Sequence, residues 1–324
     1  EPPDISGDDL KKVVEDLKTN DDIRSYPTAY MYFMFPDKNP HLFDVLTHPH
    51  DGPFYWERSS YTKFSRINVP CFIISRWMSW ETHLSGAFSA YSGIDRPDKK
   101  LMITIPESGV GFNRPWHECH DVILKWYDHW LKGIDTGMMD EPPIKLLVRE
   151  TDEWRYEYEW PLARTKWTKF YLREKGMLSE IPPGSDDVPD SFTNIPGLKP
   201  GLPIPSVEYT TALLDENVEI TGPIALYFYA SLSAQDADWM VVVNDIDING
   251  SEKVVSKGWL KASHREVDEK KSKPYKPFHP HTRSIPIEPG KICDYSIDIR
   301  ETSYVFKKGH RIRVQGRPCR DLLG

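Results

Sequence analysis

Hydrophobic and polar positions change their spacing along the chain, and each change predicts a different kind of structure. In the middle of the chain, the apolar runs 69–75 and 101–105 alternate with segments of helical periodicity. Both runs have the length and β-branching of strands buried on two faces, as in a parallel sheet. Residues 83–92 and 122–131 predict helices, and Gly133 is placed to cap the second one. This alternation predicts an α/β arrangement.

From about residue 144 onward, helical periodicity nearly disappears and short strand patterns are separated by proline and glycine turns. These predicted strands lie at 144–148, 168–172, 224–230, 238–243, 297–299 and 311–314. Many short strands with such turns are typical of an all-β sandwich. The stretches 182–205 and 263–280 predict long surface loops. After Val314 the tail lacks strand alternation, and we expect it to leave a sheet edge uncovered.

The N-terminal region predicts a capped amphipathic helix over residues 6–20, followed by a loop-rich segment to residue 53. Leu10, Val13, Val14 and Leu17 follow the helical spacing. The first residues lack an initiator Met and the basic and apolar regions of a signal peptide, so we expect a chain cut from a longer protein.

Composition and charge exclude several classes of protein. Hydrophobic residues make up 39% and aromatic residues 12% of the 324 residues, which is enough to fill a core and excludes wholesale disorder. The net charge of −8 argues against nucleic acid as a partner. No apolar run is long enough to span a membrane. Four cysteines lie far apart and without zinc spacing, at Cys71, Cys119, Cys293 and Cys319. We therefore expect a cytoplasmic protein with no metal and no cofactor.

Several short motifs also occur in a characteristic order. They are HDGPFYW at 50–56, INVP at 67–70, WYDHWLKG at 126–133, EW at 153–154, WP at 160–161, FYL at 170–172, ITG at 220–222, DAD at 236–238 and GHRIR at 309–313. In this order the chain resembles the cocaine-esterase-like (CocE/NonD) hydrolase family, which includes X-Pro dipeptidyl peptidases and α-amino-acid ester hydrolases. The resemblance implies an α/β-hydrolase domain with an inserted helical cap, followed by a jelly-roll β-sandwich.

On this resemblance the fold class is α/β plus all-β, in three parts. Residues 1–65 would be the remnant of the cap and the return segment. Residues 66–143 would be the C-terminal part of the α/β-hydrolase domain, and residues 144–324 the jelly roll. The family places its nucleophilic serine before the cap, in a Gly-x-Ser-x-Gly turn. No such pattern occurs in this sequence, so we expect the nucleophile half, and further sandwich strands at the C-terminus, to be missing.

The resemblance also identifies where the other two members of a serine-hydrolase triad would lie. Ser79 occupies the position of the family's aspartate, in the turn after the first predicted strand. Gly109 occupies the position of the family's histidine, in the turn after the second. A serine cannot stabilise an imidazolium by charge, and a glycine cannot act as a base. Both turns have therefore lost the expected side chain.

Two nearby histidines offer alternatives. His83 follows the first strand, at the sheet edge where α/β folds bind ligands, and Glu81 could be its carboxylate partner; alternatively, it only begins a helix and bonds the backbone. His117, like His120, could be a displaced base in the loop after the second strand, or could lie in a solvated helix N-terminus. The His-x-x-His spacing is not that of a zincin metal site.

Other conspicuous residues favour structural roles. His310 is predicted to stabilise a turn of the sandwich, and Asp236 to bond the backbone at a strand start. Trp154, Trp160 and Trp167 are predicted to pack between domains, with a sugar-binding platform as the alternative.

Two functions remain open. The first is a CocE/NonD-like serine hydrolase acting on a small-molecule ester or a peptide, such as an X-Pro dipeptide, in a truncated or diverged chain inactive by itself. The second is a non-catalytic binding or assembly module that uses the β-sandwich. The expected partners are the substrate and either a second copy of the chain or a separate chain that carries the nucleophile.

Overall fold

A computed structural model describes residues 47–318 except 80–81, 106–118, 152, 186 and 195–204, together with seven positions nearer the N-terminus. All seven are helical, and five of them, at 11, 12, 14, 15 and 19, fall within the helix predicted over 6–20. The rest of the helix predicted over 6–20 lies outside the described residues. The helices from residue 47 onward are α1 (Pro53–Arg58), α2 (Leu84–Gly93) and α3 (His120–Lys132), with 3₁₀ turns at Tyr61–Arg66, Met138–Asp140, Glu174–Gly176 and Ala262–His264.

The first group of strands forms a four-stranded sheet. In spatial order the strands are β1 (Cys71–Arg76), β2 (Lys99–Thr104), β3 (Ile144–Val148) and β4 (Glu153–Glu157). β1, β2 and β3 are parallel, and β4 is antiparallel to β3. Leu101, Ile103, Ile144 and Leu146 are almost completely buried, because helix α2 covers this sheet. Continuous apolar runs suit strands of this kind.

The two helices predicted beside these strands are confirmed. In α2, Leu84, Phe88 and Tyr91 are buried against the sheet. Helix α3 ends at Gly133, whose φ of 69° is left-handed and whose N–H donates to the carbonyl of His129 at 3.1 Å. This is the expected glycine cap. Among the described helices, none is long and apolar enough to cross a bilayer.

The remaining strands form an eight-stranded sheet. In chain order they are β5 (Tyr171–Arg173), β6 (Met177–Ser179), β7 (Val207–Thr210), β8 (Val218–Ser231), β9 (Asp238–Ile246), β10 (Glu252–Lys261), β11 (Ile292–Phe306) and β12 (Arg311–Pro318). Their spatial order is β5-β6-β7-β12-β9-β10-β11-β8. Its core is built mainly from alternate residues of β9, β10 and β11, such as Val241, Val243 and Ile297. The described part of the chain is thus rich in mixed and antiparallel sheet and contains few helices.

Three predictions about strands were wrong. The strand 144–148 belongs to the four-stranded sheet and not to the second region, because Ile144 pairs in parallel with Leu101. The strands are not all short, since β8 has 14 residues and β11 has 15. The tail from Gln315 continues β12 to Pro318, because its backbone pairs with β9. Residues 319–324 lie outside the described part.

The two sheets are joined where β3 ends. The backbone N–H of Arg149 donates to the carbonyl of Ser303 on β11 at 3.0 Å. Its guanidinium donates to the carbonyls of Val255, at 2.7 Å, and Val254, at 3.0 Å, next to β10's register shift. Arg149 is 4% exposed, and burial lowers the pKa of its guanidinium. Its hydrogen bonds offset the desolvation of a buried charge and fix one sheet against the other.

Candidate functional site

The turn after β1 is the part of the predicted site that the structure describes best. Trp77 is fully buried, and its indole N–H donates to the carbonyl of Leu147 at 2.7 Å. The Ser79 carbonyl accepts the N–H groups of His83, at 3.2 Å, and Leu84, at 3.0 Å. These bonds close a tight turn between β1 and α2, which brings Ser79 and His83 to the carboxyl end of the parallel strands.

Beneath this turn lies a floor of aromatic rings. The ring of Phe88 stacks on that of Trp160 with centroids 4.5 Å apart, and Trp77 lies 5.9 Å from Phe88 and 6.5 Å from Trp160. Trp160 therefore packs against the helix and the turn, in agreement with a packing role. The turn after β1 therefore has packed aromatic rings on one side and solvent on the other.

The side chains of Ser79 and His83 share the turn but make no hydrogen bond to any other described residue. His83 is exposed and occupies the N-cap of α2 without a side-chain cap. The structure therefore brings two predicted residues together in space without connecting them chemically. His117, Gly109 and Glu81 lie outside the described residues.

Helix α3 begins with His120 as its first residue and Asp121 in its first turn. A negative charge there is favourable beside the positive end of the helix dipole. Within the described part of the chain, no three His, Cys, Asp or Glu side chains gather in an arrangement that could hold a metal ion.

A second polar cluster lies in the eight-stranded sheet, around Asp245. This carboxylate, 4% exposed, accepts the Tyr304 hydroxyl at 2.8 Å, and its two oxygens lie 2.9 and 3.0 Å from Nδ1 of His310. Tyr304 is fully buried, and burial followed by the Asp245 bond raises the pKa of its phenol. The cluster borders a cavity of about 220 Å³ whose wall also carries Glu150. His310 thus holds strand ends together, as its structural interpretation predicts.

The prediction for Asp236 is also supported by the contacts. One oxygen of Asp236 accepts the backbone N–H groups of Ala237 and Ser263, both at 2.9 Å. Burial opposes the shift, but the side chain of Ser263, the ion pair with Lys261 and the two backbone N–H groups hold the pKa of this carboxyl below its usual range.

A third cluster brings together histidines from distant parts of the sequence. Nε2 of His50 lies 3.1 Å and Nε2 of His264 lies 3.3 Å from the Ser284 hydroxyl. Nδ1 of His264 lies 3.2 Å from Nδ1 of His281. The rings of His50 and His264 are stacked, with centroids 5.4 Å apart. We call His50, His264, His281 and Ser284 the histidine clasp.

Sequence reasoning missed the histidine clasp. His50 and Ser284 are 234 positions apart, so no local spacing could indicate their contact. The available signal was the HDGP motif at 50–53, which carried the family resemblance but no structural role of its own.

Comparison with known proteins gives a consistent result. A sequence profile of the X-Pro dipeptidyl-peptidase C-terminal non-catalytic domain matches residues 136–315. Cocaine esterase of Rhodococcus sp. is 23% identical over 318 residues, in a match that covers 84% of this chain and 52% of that protein. Across the curated relatives it matches, the chain spans between 36% and 52% of their length.

Solved structures share the fold. A CocE/NonD family hydrolase from Staphylococcus aureus superposes with a TM-score of 0.74 at 21% identity, covering 88% of this chain and 52% of that one. An aminopeptidase from a marine sediment Thaumarchaeota archaeon gives a TM-score of 0.71 at 17% identity, covering 90% and 54% of the two chains.

Proposed function

The chain belongs to the CocE/NonD hydrolase family, and we propose that it is the C-terminal portion of a serine hydrolase that cleaves an ester or amide bond. The substrate would be a small-molecule ester or a peptide with an X-Pro N-terminus. In this proposal the chain supplies the aromatic-floored edge at the end of β1 and the β-rich body beside it. By itself it would have little or no hydrolytic activity.

The observation that carries this proposal is the state of the turn after β1. A serine hydrolase needs a hydroxyl, an imidazole and an orienting carboxylate in hydrogen-bond contact. The described turn holds Ser79 and His83 in one tight bend, but neither side chain is bonded to a described partner. The full sequence also lacks a Gly-x-Ser-x-Gly turn. The turn after β1 therefore holds a hydroxyl and an imidazole, but among the described residues these groups lack the hydrogen bonds that would activate a nucleophile.

The proposal includes three domains: a cap remnant over 1–65, the end of an α/β-hydrolase domain over 66–143, and a jelly-roll β-sandwich over 144–324. The family match over residues 136–315 supports a separate C-terminal domain. Because β3 pairs with β2, and β4 pairs with β3, residues 144–157 would belong to the hydrolase domain in this proposal. We therefore propose that the jelly roll starts after Glu157 and not at residue 144.

The experiment is an assay of the purified 324-residue chain with p-nitrophenyl acetate and with an X-Pro-p-nitroanilide. We expect no saturable turnover and no labelling by a fluorophosphonate. Saturable turnover that the fluorophosphonate blocks would contradict the absence of an activated nucleophile. Co-expression with a polypeptide that carries a Gly-x-Ser-x-Gly turn tests whether a separate chain completes the site, and activity should appear only in the co-purified complex.

A second candidate function is a non-catalytic binding or assembly module. It is favoured by the description of the matching domain as non-catalytic and by a solvent-facing aromatic pair. Trp167, 50% exposed, stacks on Tyr275 with centroids 4.0 Å apart and 6° between the rings. Flat aromatic surfaces of this kind bind sugar faces or partner chains. Glycan-array binding that Trp167→Ala abolishes would favour this function, and sedimentation analysis would detect a homo-oligomer.

A further inference from the structure

The histidine clasp connects two segments that are far apart in sequence. Residues 47–58 contribute His50, and the loop that follows β10 contributes His264, His281 and Ser284. The backbone adds a second link, because the N–H of Asp51 donates to the carbonyl of His281 at 2.9 Å. Asp51 is itself held by the indole N–H of Trp56 and the hydroxyl of Tyr61, each at 3.1 Å. The clasp is therefore the polar part of a contact between the segment before β1 and the loop that follows β10.

The geometry of the clasp requires an uncharged ring. Two Nδ1 atoms 3.2 Å apart, on His264 and His281, can form a hydrogen bond only if one carries a hydrogen and the other offers a lone pair. If both rings are protonated, both Nδ1 atoms are donors and the contact becomes repulsive. The ring of His50 stacks on that of His264, so a protonated His264 would also place its positive charge against the imidazole of His50.

The surroundings also disfavour the charged rings. His264 is 8% exposed. Burial lowers the pKa of its imidazole, and neighbouring His50 and Lys261 lower that pKa further. His281 is exposed as a residue, but its ring lies against His264 and His279. Desolvation, followed by these two imidazoles, lowers the pKa of His281 to about 4.

The carboxylates near the rings do not offset the effects that disfavour protonated His264 and His281. Besides one another, the charged and titratable groups facing His264 and His281 are His50, Asp51, Asp236, Lys261, His279 and Arg300. Two carboxylates are thus balanced by two cations. Asp236 and Asp51 are also already engaged with backbone and side-chain donors.

The backbone conformation at His281 also favours opening of the clasp. Its φ of 52° is left-handed, a conformation that is unfavourable for a non-glycine residue. This conformation is held by the bond from Asp51 to the His281 carbonyl and by the ring contacts. When those contacts are lost, the backbone at this position can relax.

We propose that the histidine clasp is a pH-sensitive latch that holds residues 47–58 against the loop after β10 and opens on mild acidification. The sign follows from proton linkage. In the closed state the pKa values of His264 and His281 are lowered, whereas a released histidine titrates near its ordinary value of about 6.5. Protons therefore favour the open state as the pH falls below about 6.5, and this effect saturates near the lower pKa of the closed clasp.

Hydrogen–deuterium exchange of the whole chain tests the latch. Between about pH 7 and pH 5, after correction for the intrinsic pH dependence, exchange in residues 47–58 should rise roughly tenfold or more. Strand β9 is the internal reference and should keep its protection. Unchanged protection of residues 47–58 over this range would overturn the proposal. Simultaneous loss in β9 would also overturn it, because it would indicate global unfolding.

A variant and its control sharpen the test. Asparagine tolerates the left-handed conformation and cannot become charged, so His281→Asn should keep the segment protected at neutral pH and lose most of the acid response. His83→Asn changes an exposed histidine outside the clasp and should keep the full response. A full response in His281→Asn would overturn the proposal. If that variant does not fold, NMR titration of the wild-type rings decides, since ordinary pKa values for both His264 and His281 would contradict the latch.

Discussion

Two histidine-bearing turns of this molecule have opposite environments. His83 is exposed at the edge of the four-stranded sheet and makes no side-chain hydrogen bond to a described residue. His310 lies beside the eight-stranded sheet, where it bonds Asp245, which in turn accepts the buried hydroxyl of Tyr304. By contacts alone, His310 looks more like a catalytic residue. Its carboxylate partner instead satisfies a buried phenol and closes a strand turn.

The difference follows from burial. A polar group inside the protein must be hydrogen-bonded, because leaving it unpaired costs about 1–3 kcal/mol. The same group at an exposed edge can bond water and needs no protein partner. A hydrogen-bonded Asp–His–Tyr chain in a sheet is therefore explained by burial of these side chains and does not by itself indicate catalysis. Unbonded side chains at the end of parallel strands are compatible with a site whose partners come from elsewhere.

The largest effect should come from Asp245→Ala. This change leaves the fully buried Tyr304 hydroxyl and Nδ1 of His310 without their acceptor, so the free energy of unfolding should fall by about 3 kcal/mol. Urea denaturation measures it. The matched control is Asp238→Ala, a carboxylate on the same strand that is 53% exposed, and its effect should be within about 1 kcal/mol. Equal effects would show that the buried cluster contributes no more than a surface ion pair.

Trp77→Phe should come next. The substitution removes the indole N–H that donates to Leu147 and leaves a small cavity beside Phe88 and Trp160, so we expect a loss of about 2 kcal/mol. Thermal and urea unfolding provide the measurement. A loss much smaller than that of Trp167→Phe, at a half-exposed position, would contradict the view that the aromatic floor fixes the turn.

Asp298 tests the contrast between buried and exposed polar groups through the pH dependence of stability. Its side chain is 19% exposed, one carboxylate oxygen is buried without a hydrogen-bond partner in the described structure, and burial raises its pKa to about 6. The native state therefore binds more protons than the unfolded state between about pH 4 and pH 6, and this group's stabilisation is lost as the pH rises through 6. Relative to wild type, Asp298→Asn should gain about 2 kcal/mol between these pH values. A constant difference between the two denaturation profiles would refute this assignment.

His83→Ala should have the smallest effect. The side chain is exposed and makes no described hydrogen bond, so the free energy of unfolding should change by less than about 0.5 kcal/mol. In a co-purified complex with a nucleophile-bearing chain, the same variant tests function. A large loss of turnover without a loss of stability would identify His83 as a participant in the reaction.

The sequence predicted local structure well where one pattern dominates. The runs that became β1 and β2, and the helix that ends at Gly133, were identified because continuous apolar runs and a glycine cap are local signals. The strands β4 and β10 were not predicted. Segment 153–157 alternates charged and aromatic residues, but five residues are too few to distinguish a strand by pattern, and Trp154 and Tyr156 are exposed in the edge strand β4.

The sequence by itself determined the class of structure in each region, the family, and the absence of a Gly-x-Ser-x-Gly turn, since each of these depends on residue order alone. Tertiary structure decided which strands share a sheet, because β3 pairs with β2 through backbone groups that every residue carries. It also decided which polar side chains meet, as in the approach of His50 to Ser284. Such contacts depend on how far-separated segments pack, and the spacing of residues along a chain does not encode them locally.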